Sequence, residues 1–302
     1  MCKPRAEGAP MRSMPVMMLL LAVGSSIASA GVIRHDRDDA LYQQLGQQSQ
    51  FSAVGALGIN YTGGGSTTCS GTLIASQWVL TAAHCVDDGV SFASFITGSS
   101  FSFVEEVHIS PDWTMNDFLG GGDLALLKLS APVSNIDPAF LHQGGGDLGQ
   151  VGTAVGYGWT GTGLTGSQSS TGGTLRAGNN VIDALGSARG WDDRILLTDF
   201  DNPLDPNDSN YGSDQPLDLE YSIAPGDSGG GLFVEYEGRW ELAGVTSFIN
   251  STDGSPNGDY GDSNGFTRVS DYTGWINSII PAPGTMPVFA GGLMLMSRRR
   301  RA

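Results

Sequence analysis

Apolar runs of five to nine residues recur along the chain at 53–59, 71–75, 78–82, 91–97, 101–109 and 124–129. Each is closed by turn-forming residues, a rhythm that predicts strands of a barrel or sandwich. A glycine-rich, proline-containing crossing at 131–149 separates this set from a second one that begins at 151–157. The second set closes with a hairpin, 232–236 and 240–248, turned at Glu237-Gly238. Two β-units joined near 131–148 follow from this pattern. The last periodic segment, 269–280, puts Val269, Tyr272, Trp275, Ile276, Ile279 and Ile280 at helical spacing, with Ser270 available as N-cap. Acidic or glycine-rich insertions at 161–173, 199–219 and 250–264 read as surface loops.

Composition adds an all-β bias. The 302 residues include 45 glycines without a fixed period, which excludes collagen and solenoids, and 40% hydrophobic residues, enough for a core. Both ends read as processing segments. Residues 1–30 carry Lys3, Arg5 and Arg12, an apolar run at 16–23 and Ala28-Ser29-Ala30, a site that signal peptidase would cut before Gly31. Residues 282–302 hold an apolar stretch of 11 residues, too short to span a bilayer, followed by Arg298 to Arg301. With Pro281-Ala282-Pro283 before it, this tail resembles bacterial PEP-CTERM sorting signals, although the usual acidic residue between the prolines is Ala282. The resemblance implies an exosortase-type processing enzyme and a secreted, periplasmic or cell-surface location. Between the two segments lie eight basic and thirty acidic residues, a net charge of about −22 that excludes a phosphate-binding surface and so nucleic acid as partner. Cys2 falls in the leader, which leaves Cys69 and Cys85 as a pair expected to be bonded in an oxidising compartment.

Three segments carry candidate chemistry. Gly226-Asp227-Ser228-Gly229-Gly230 sets a serine among glycines that permit tight backbone conformations, although in so glycine-rich a chain it could be a simple turn. The apolar run Trp78-Val79-Leu80-Thr81 delivers His84 beside Cys85, and a lone histidine is more often structural. Asp123 stands at the mouth of the apolar run 124–129, where a partly buried acid needs hydrogen-bond donors such as an imidazole N–H.

Taken together, in the order His, Asp, Ser, these segments resemble the chymotrypsin/trypsin family of serine peptidases. The likeness covers most of residues 50 to 280, including Cys69-Ser70-Gly71-Thr72-Leu73-Ile74 and Gly265-Phe266-Thr267-Arg268-Val269. It implies two perpendicular six-stranded antiparallel β-barrels with a C-terminal helix, the first barrel at 31–140 and the second at 141–281, acting as a monomer on protein or peptide substrates. By the resemblance Ser228 is the nucleophile, His84 the general base and Asp123 its orienting acid, with the N–H groups of Gly226 and Ser228 as oxyanion hole. The family's pocket floor falls on Ser222, with walls from Ile223 and from Ser247-Phe248-Ile249. Without an acid at the floor, a small or medium apolar residue is expected before the cut. Asp227 corresponds to the family's partner for a freshly cut N-terminus. Here the chain offers only Gly31-Val32-Ile33-Arg34, so either the amine at Gly31 or another group serves Asp227.

No cofactor is expected. Asp201, Asp205, Asp208 and Asp214 could chelate calcium but lack a closing glutamate and read as solvated loop acids. His35, His108 and His142 show no clustered ligand partners along the chain, which argues against zinc. Two other functions remain open. One is a catalytically silent protein of the same fold. The other is an α/β-hydrolase esterase, disfavoured because its serine precedes its acid and histidine.

Overall fold

The computed structural model describes residues 31–212 and 214–280. The leader 1–30 and the tail 282–302 lie outside the described residues. Six strands close into a barrel: β2 Val54–Tyr61, β3 Ser66–Ala75, β4 Trp78–Thr81, β5 Val90–Thr97, β6 Ser100–Ile109 and β7 Ala125–Leu129. They pair in the order β2-β3-β4-β7-β6-β5, every pair antiparallel, and β5 returns to β2. Closure leaves no edge to protect. Strand β4 is buried at all four positions, so it reads as an unbroken apolar run rather than an alternating one.

The second unit is wider and open. Its strands are β8 Phe140–Leu141, β9 Val151–Gly156, β12 Arg176–Val181, β13 Ala184–Leu185, β14 Ile195–Asp199, β16 Gly231–Tyr236, β17 Arg239–Asn250 and β18 Ser263–Arg268. Together they form an eight-stranded sheet, a half-barrel, rather than six strands closed on themselves. A smaller sheet orders β11 Gly166–Gln168, β10 Thr160–Thr162, β1 Gly31–Ile33 and β15 Tyr221–Ser222. Part of the 161–173 insertion is therefore strand. The hairpin turns as its sequence implies, with Glu237 and Gly238 both at positive φ.

Helix α1, Asp39–Gly46, was not foreseen, because only Tyr42 and Gly46 of its eight residues are buried. It packs on β12, where Asp39 grips the guanidinium of the fully buried Arg176 through two hydrogen bonds. At the other end a 3-10 turn, Val269–Tyr272, leads into α2, Thr273–Ile279. Ser270 is not the N-cap. It sits inside the 3-10 turn, pinned by buried Val269 and Tyr272, and its carbonyl accepts the Thr273 hydroxyl.

The remaining histidines are engaged. His142 is buried with Nδ1 2.8 Å from Glu241 and Nε2 3.2 Å from Asp147, acidic partners that chain spacing conceals. His35 meets the Tyr260 hydroxyl and His108 meets Glu106.

Of the acids in the 199–219 insertion, Asp205 and Asp214 stay exposed as the sequence implies, but others are taken out of water. Asp199, Asp201 and Glu220 are all buried. Asp199 Oδ2 accepts the N–H groups of Asn210 and Tyr211, and Glu220 Oε1 accepts that of Asp201. Burial, with the neighbouring carboxylates, pushes Asp183 and Asp201 up to about 7 and Glu220 up to about 8. Each of the three holds its proton more tightly folded than unfolded. Their contribution to stability is therefore complete below about pH 4 and is lost as pH rises toward 8. Thermal melts should show a falling midpoint from pH 5 to 8, and Asp201→Asn, at an oxygen (Oδ1) with no hydrogen-bond partner among the described residues, should flatten that slope.

Candidate active site

Asp123 and His84 come from the barrel, two residues before β7 and in the 3-10 turn Ala83–Cys85 after β4. Asp123 is fully buried. Its Oδ1 accepts the backbone N–H of His84 at 2.9 Å, and its Oδ2 lies 2.7 Å from His84 Nδ1. The half-barrel completes its shell: Ser247 on β17 donates its hydroxyl to Oδ2 at 2.5 Å, and Thr267 on β18 donates to the Asp123 carbonyl at 3.0 Å. These donors offset the cost of taking a carboxyl group out of water. Asp123 also fixes the imidazole ring, whose Nε2 faces away from the acid. The Phe118 ring packs edge-on to His84 at 5.3 Å.

Ser228 lies between β15 and β16 in a loop held from both sides. Across the units, the Ser70 N–H donates to the Ser228 carbonyl at 2.8 Å, and the Ser70 hydroxyl donates to the Gly226 carbonyl at 2.9 Å. The Cys69–Cys85 disulfide is present and closes a loop across 16 positions, worth about 3 kcal/mol in the chain-entropy model. Cys85 Sγ sits 4.0 Å from His84 Nε2 and 3.7 Å from the Ser228 carbonyl, so histidine and serine flank one sulfur. With both carbonyls drawn toward Ser70, the N–H groups of Gly226 and Ser228 have no acceptor among the described residues. Gly226 has φ +96°, open to glycine and strained for other residues. Such an arrangement, a serine loop and a fixed imidazole flanking one sulfur, with two unpaired N–H groups in that loop, suits acyl transfer.

The sequence matches the family model described as Trypsin over residues 46–276. The chain belongs to the trypsin family. It is a serine protease by that membership. Chymotrypsin-like elastase family member 1 from dog is 30% identical over 245 residues, covering 74% of this chain and 86% of the relative. The rat protein of that name is 29% identical over the same share of this chain, and the bovine one is 27% identical over 87% of this chain and 99% of its own length. Among solved structures, HL collagenase has a TM-score of 0.56 at 23% identity, covering 78% of this chain and 96% of its own. Mouse neuropsin has a TM-score of 0.57 at 22% identity, covering 76% of this chain and 96% of its own, and both likenesses speak to the fold alone.

Within this trypsin-family chain, Ser222 and Ile223 are buried beside the loop that carries Ser228. The Ser222 hydroxyl and the Ile223 N–H both donate to Asn264 Oδ1, at 2.8 and 3.1 Å. Asn264, buried on β18, thus joins the floor expected from Ser222. Nothing in the sequence distinguishes it from the other asparagines of an acidic loop. Phe248 contacts Phe118 and Trp191, at 6.3 and 5.6 Å between ring centres, and Ile249 packs beside the Ile223 cluster. Ser247, read from sequence as a wall residue, has its hydroxyl committed to Asp123.

Asp227 turns away from that floor. Its Oδ1 accepts Gly158 N–H at 2.7 Å, and its Oδ2 accepts Ala224 N–H at 2.9 Å and the Tyr221 hydroxyl at 3.2 Å. Burial pushes its carboxyl up to about 7 against the pull of those donors. Asp201, Asp205, Asp208 and Asp214 do not converge on a common point. Among the described residues, only Asp253, Asp259 and Asp262 gather carboxylate oxygens within 4.8 Å of one another.

Gly229 is the tightest point of the site. Its φ is +82°, and an added Cβ would lie 2.0 Å from Thr81 Oγ1 and 2.3 Å from the Ser70 carbonyl. Gly229→Ala should cost about 2 kcal/mol or more in urea denaturation, and should pull Ser70 off the Ser228 carbonyl. Unchanged stability would show that the two units tolerate a wider spacing here.

Proposed function

We propose that this protein is an exported bacterial serine endopeptidase that forms an acyl-enzyme on Ser228 and prefers a small or medium apolar residue before the cut. The observation that carries the reading is the pairing of a buried, fully hydrogen-bonded Asp123 with His84, next to a Ser228 loop whose two N–H groups are left unpaired. His84 takes the Ser228 proton through Nε2 as the hydroxyl attacks the peptide carbonyl. Asp123 fixes the tautomer at Nδ1 and stabilises the imidazolium. Charge developing on the carbonyl oxygen is met by the Gly226 and Ser228 N–H groups. His84 then returns its proton to the leaving amine, and water hydrolyses the ester by the same steps in reverse.

The preference is argued from the floor and walls. Ser222 and Asn264 are neutral and hydrogen-bonded to each other, so a cationic side chain would find no counter-charge, and Ile249 adds apolar bulk. Relatives named as elastases support the same direction. Export rests on the leader ending at Ala30, and surface sorting on the arginine-terminated tail. A silent member of the fold is the rival reading, disfavoured because all three triad positions are filled.

Casein hydrolysis by the purified protein should fall at least about 1,000-fold in Ser228→Ala and in His84→Ala. Activity surviving both substitutions would reject the assignment. In a peptide library varied at the residue before the cut, Ala, Val and Leu should exceed Arg and Lys by tenfold or more. Equal cleavage after Arg would overturn the pocket reading.

A further inference from the structure

The residue that holds Asp227 is Tyr221. Asp227 directly precedes Ser228 and ties together the loops that shape the oxyanion site, through Gly158 N–H on one side and Ala224 N–H on the other. Gly226 is packed against Gly158 so closely that a Cβ on it would lie 2.9 Å from the Gly158 Cα. The direction of the Gly226 N–H therefore depends on where the Asp227 carboxyl sits. Among the described residues no ammonium or guanidinium pairs with that carboxyl; the charge of Arg176 acts on it only weakly and without contact, and Arg176 is itself bound to Asp39. The remaining donor is the Tyr221 hydroxyl.

Tyr221 is wedged in place. It is 2% exposed, and a Cβ on Gly178 would fall 2.2 Å from its Cβ. On its other side is Gly31, at φ +66°, where a Cβ would fall 1.9 Å from Tyr221 Cζ and Oη. Gly31 is held there by strand β1, whose Val32 pairs with Ser222 and whose Gly31 carbonyl accepts the Thr160 hydroxyl. A side chain at position 31 would displace the phenol from Asp227. Glycine at the first position after the leader is thus what lets a neutral internal donor reach the acid.

We propose that Tyr221 is a positioning residue for the oxyanion site: its hydroxyl, seated by Gly31 and Gly178, orients Asp227, so that the site is competent without a free amine at Gly31. The proposal rests on the peptidase reading above. No proteolytic activation step is then required, and exact leader cleavage does not gate activity. The acid is served by a phenol that is part of the fold, whatever residue stands before Gly31.

The test uses the full chain expressed for export in three forms: unaltered, with two residues inserted between Ala30 and Gly31, and as Tyr221→Phe, each N-terminus fixed by intact mass. Fluorophosphonate labelling and kcat and KM on one peptide are measured with the melting temperature. The inserted form should label and turn over within about twofold of the unaltered one. Tyr221→Phe, losing one hydrogen bond to a carboxylate, should lose about tenfold or more in kcat, with KM changed less than threefold and the melt within a few degrees. An inserted form that is folded but unlabelled while the unaltered form labels overturns the proposal, and so does a Tyr221→Phe enzyme with full kcat. Folded protein that labels in none of the three forms overturns the peptidase reading and this inference with it.

Discussion

A buried carboxylate that must be fully hydrogen-bonded organises this molecule. Asp123 has no access to water, and an unsatisfied charge there would cost several kcal/mol. Its donors come from two separate β-units: His84 from the turn after β4, Ser247 from β17 and, at its carbonyl, Thr267 from β18. Neither the barrel nor the half-barrel can satisfy it alone. The demand of one acid for donors thus fixes how the units meet and sets the imidazole at their junction.

The Ser228 loop is fixed across the same junction by a second set of bonds. Ser70 reaches it with both its N–H and its hydroxyl, and the hydroxyl also accepts Tyr157 N–H at 2.9 Å, so a barrel residue bridges two loops of the half-barrel. The sulfur of Cys85 fills the space between His84 and the Ser228 backbone. On the far side of the loop Asp227 plays for backbone N–H groups the part that Asp123 plays for the imidazole. Two buried aspartates flank the loop, and the Gly226 and Ser228 N–H groups between them have no acceptor among the described residues. Preorganisation of this kind needs no rearrangement as charge develops.

Much of this was legible in the sequence, for reasons that differ by residue. Strands were readable where one or both faces are buried, as in β4 and β7, and the turn at Glu237-Gly238 was readable because its backbone requires positive φ. The His84, Asp123 and Ser228 segments stood out because their apolar or glycine-rich settings are local. What stayed hidden is what depends on distant packing. Asn264 lies 42 positions from the Ser222 hydroxyl it receives, and His142 lies 99 from Glu241. Helix α1 buries one narrow face, and its main anchor, Arg176, is 137 residues away. Asp205 and Asp214 of the 199–219 insertion are exposed, as their composition implies, whereas Asp201 is buried among residues that its sequence neighbours do not reveal. Ser270 resembled an N-cap, but buried Val269 and Tyr272 committed its turn to the 3-10 form.

The most direct test of the claim that a cross-unit carboxylate assembles a working nucleophile is the site and rate of fluorophosphonate attachment in the wild-type protein and in Asp123→Asn. The account predicts a single adduct, mapped by mass spectrometry to Ser228, and a labelling rate reduced by roughly four orders of magnitude in Asp123→Asn, which keeps the shape of the acid but reverses the tautomer of His84. An adduct on another serine, or equal rates in the two proteins, would contradict it.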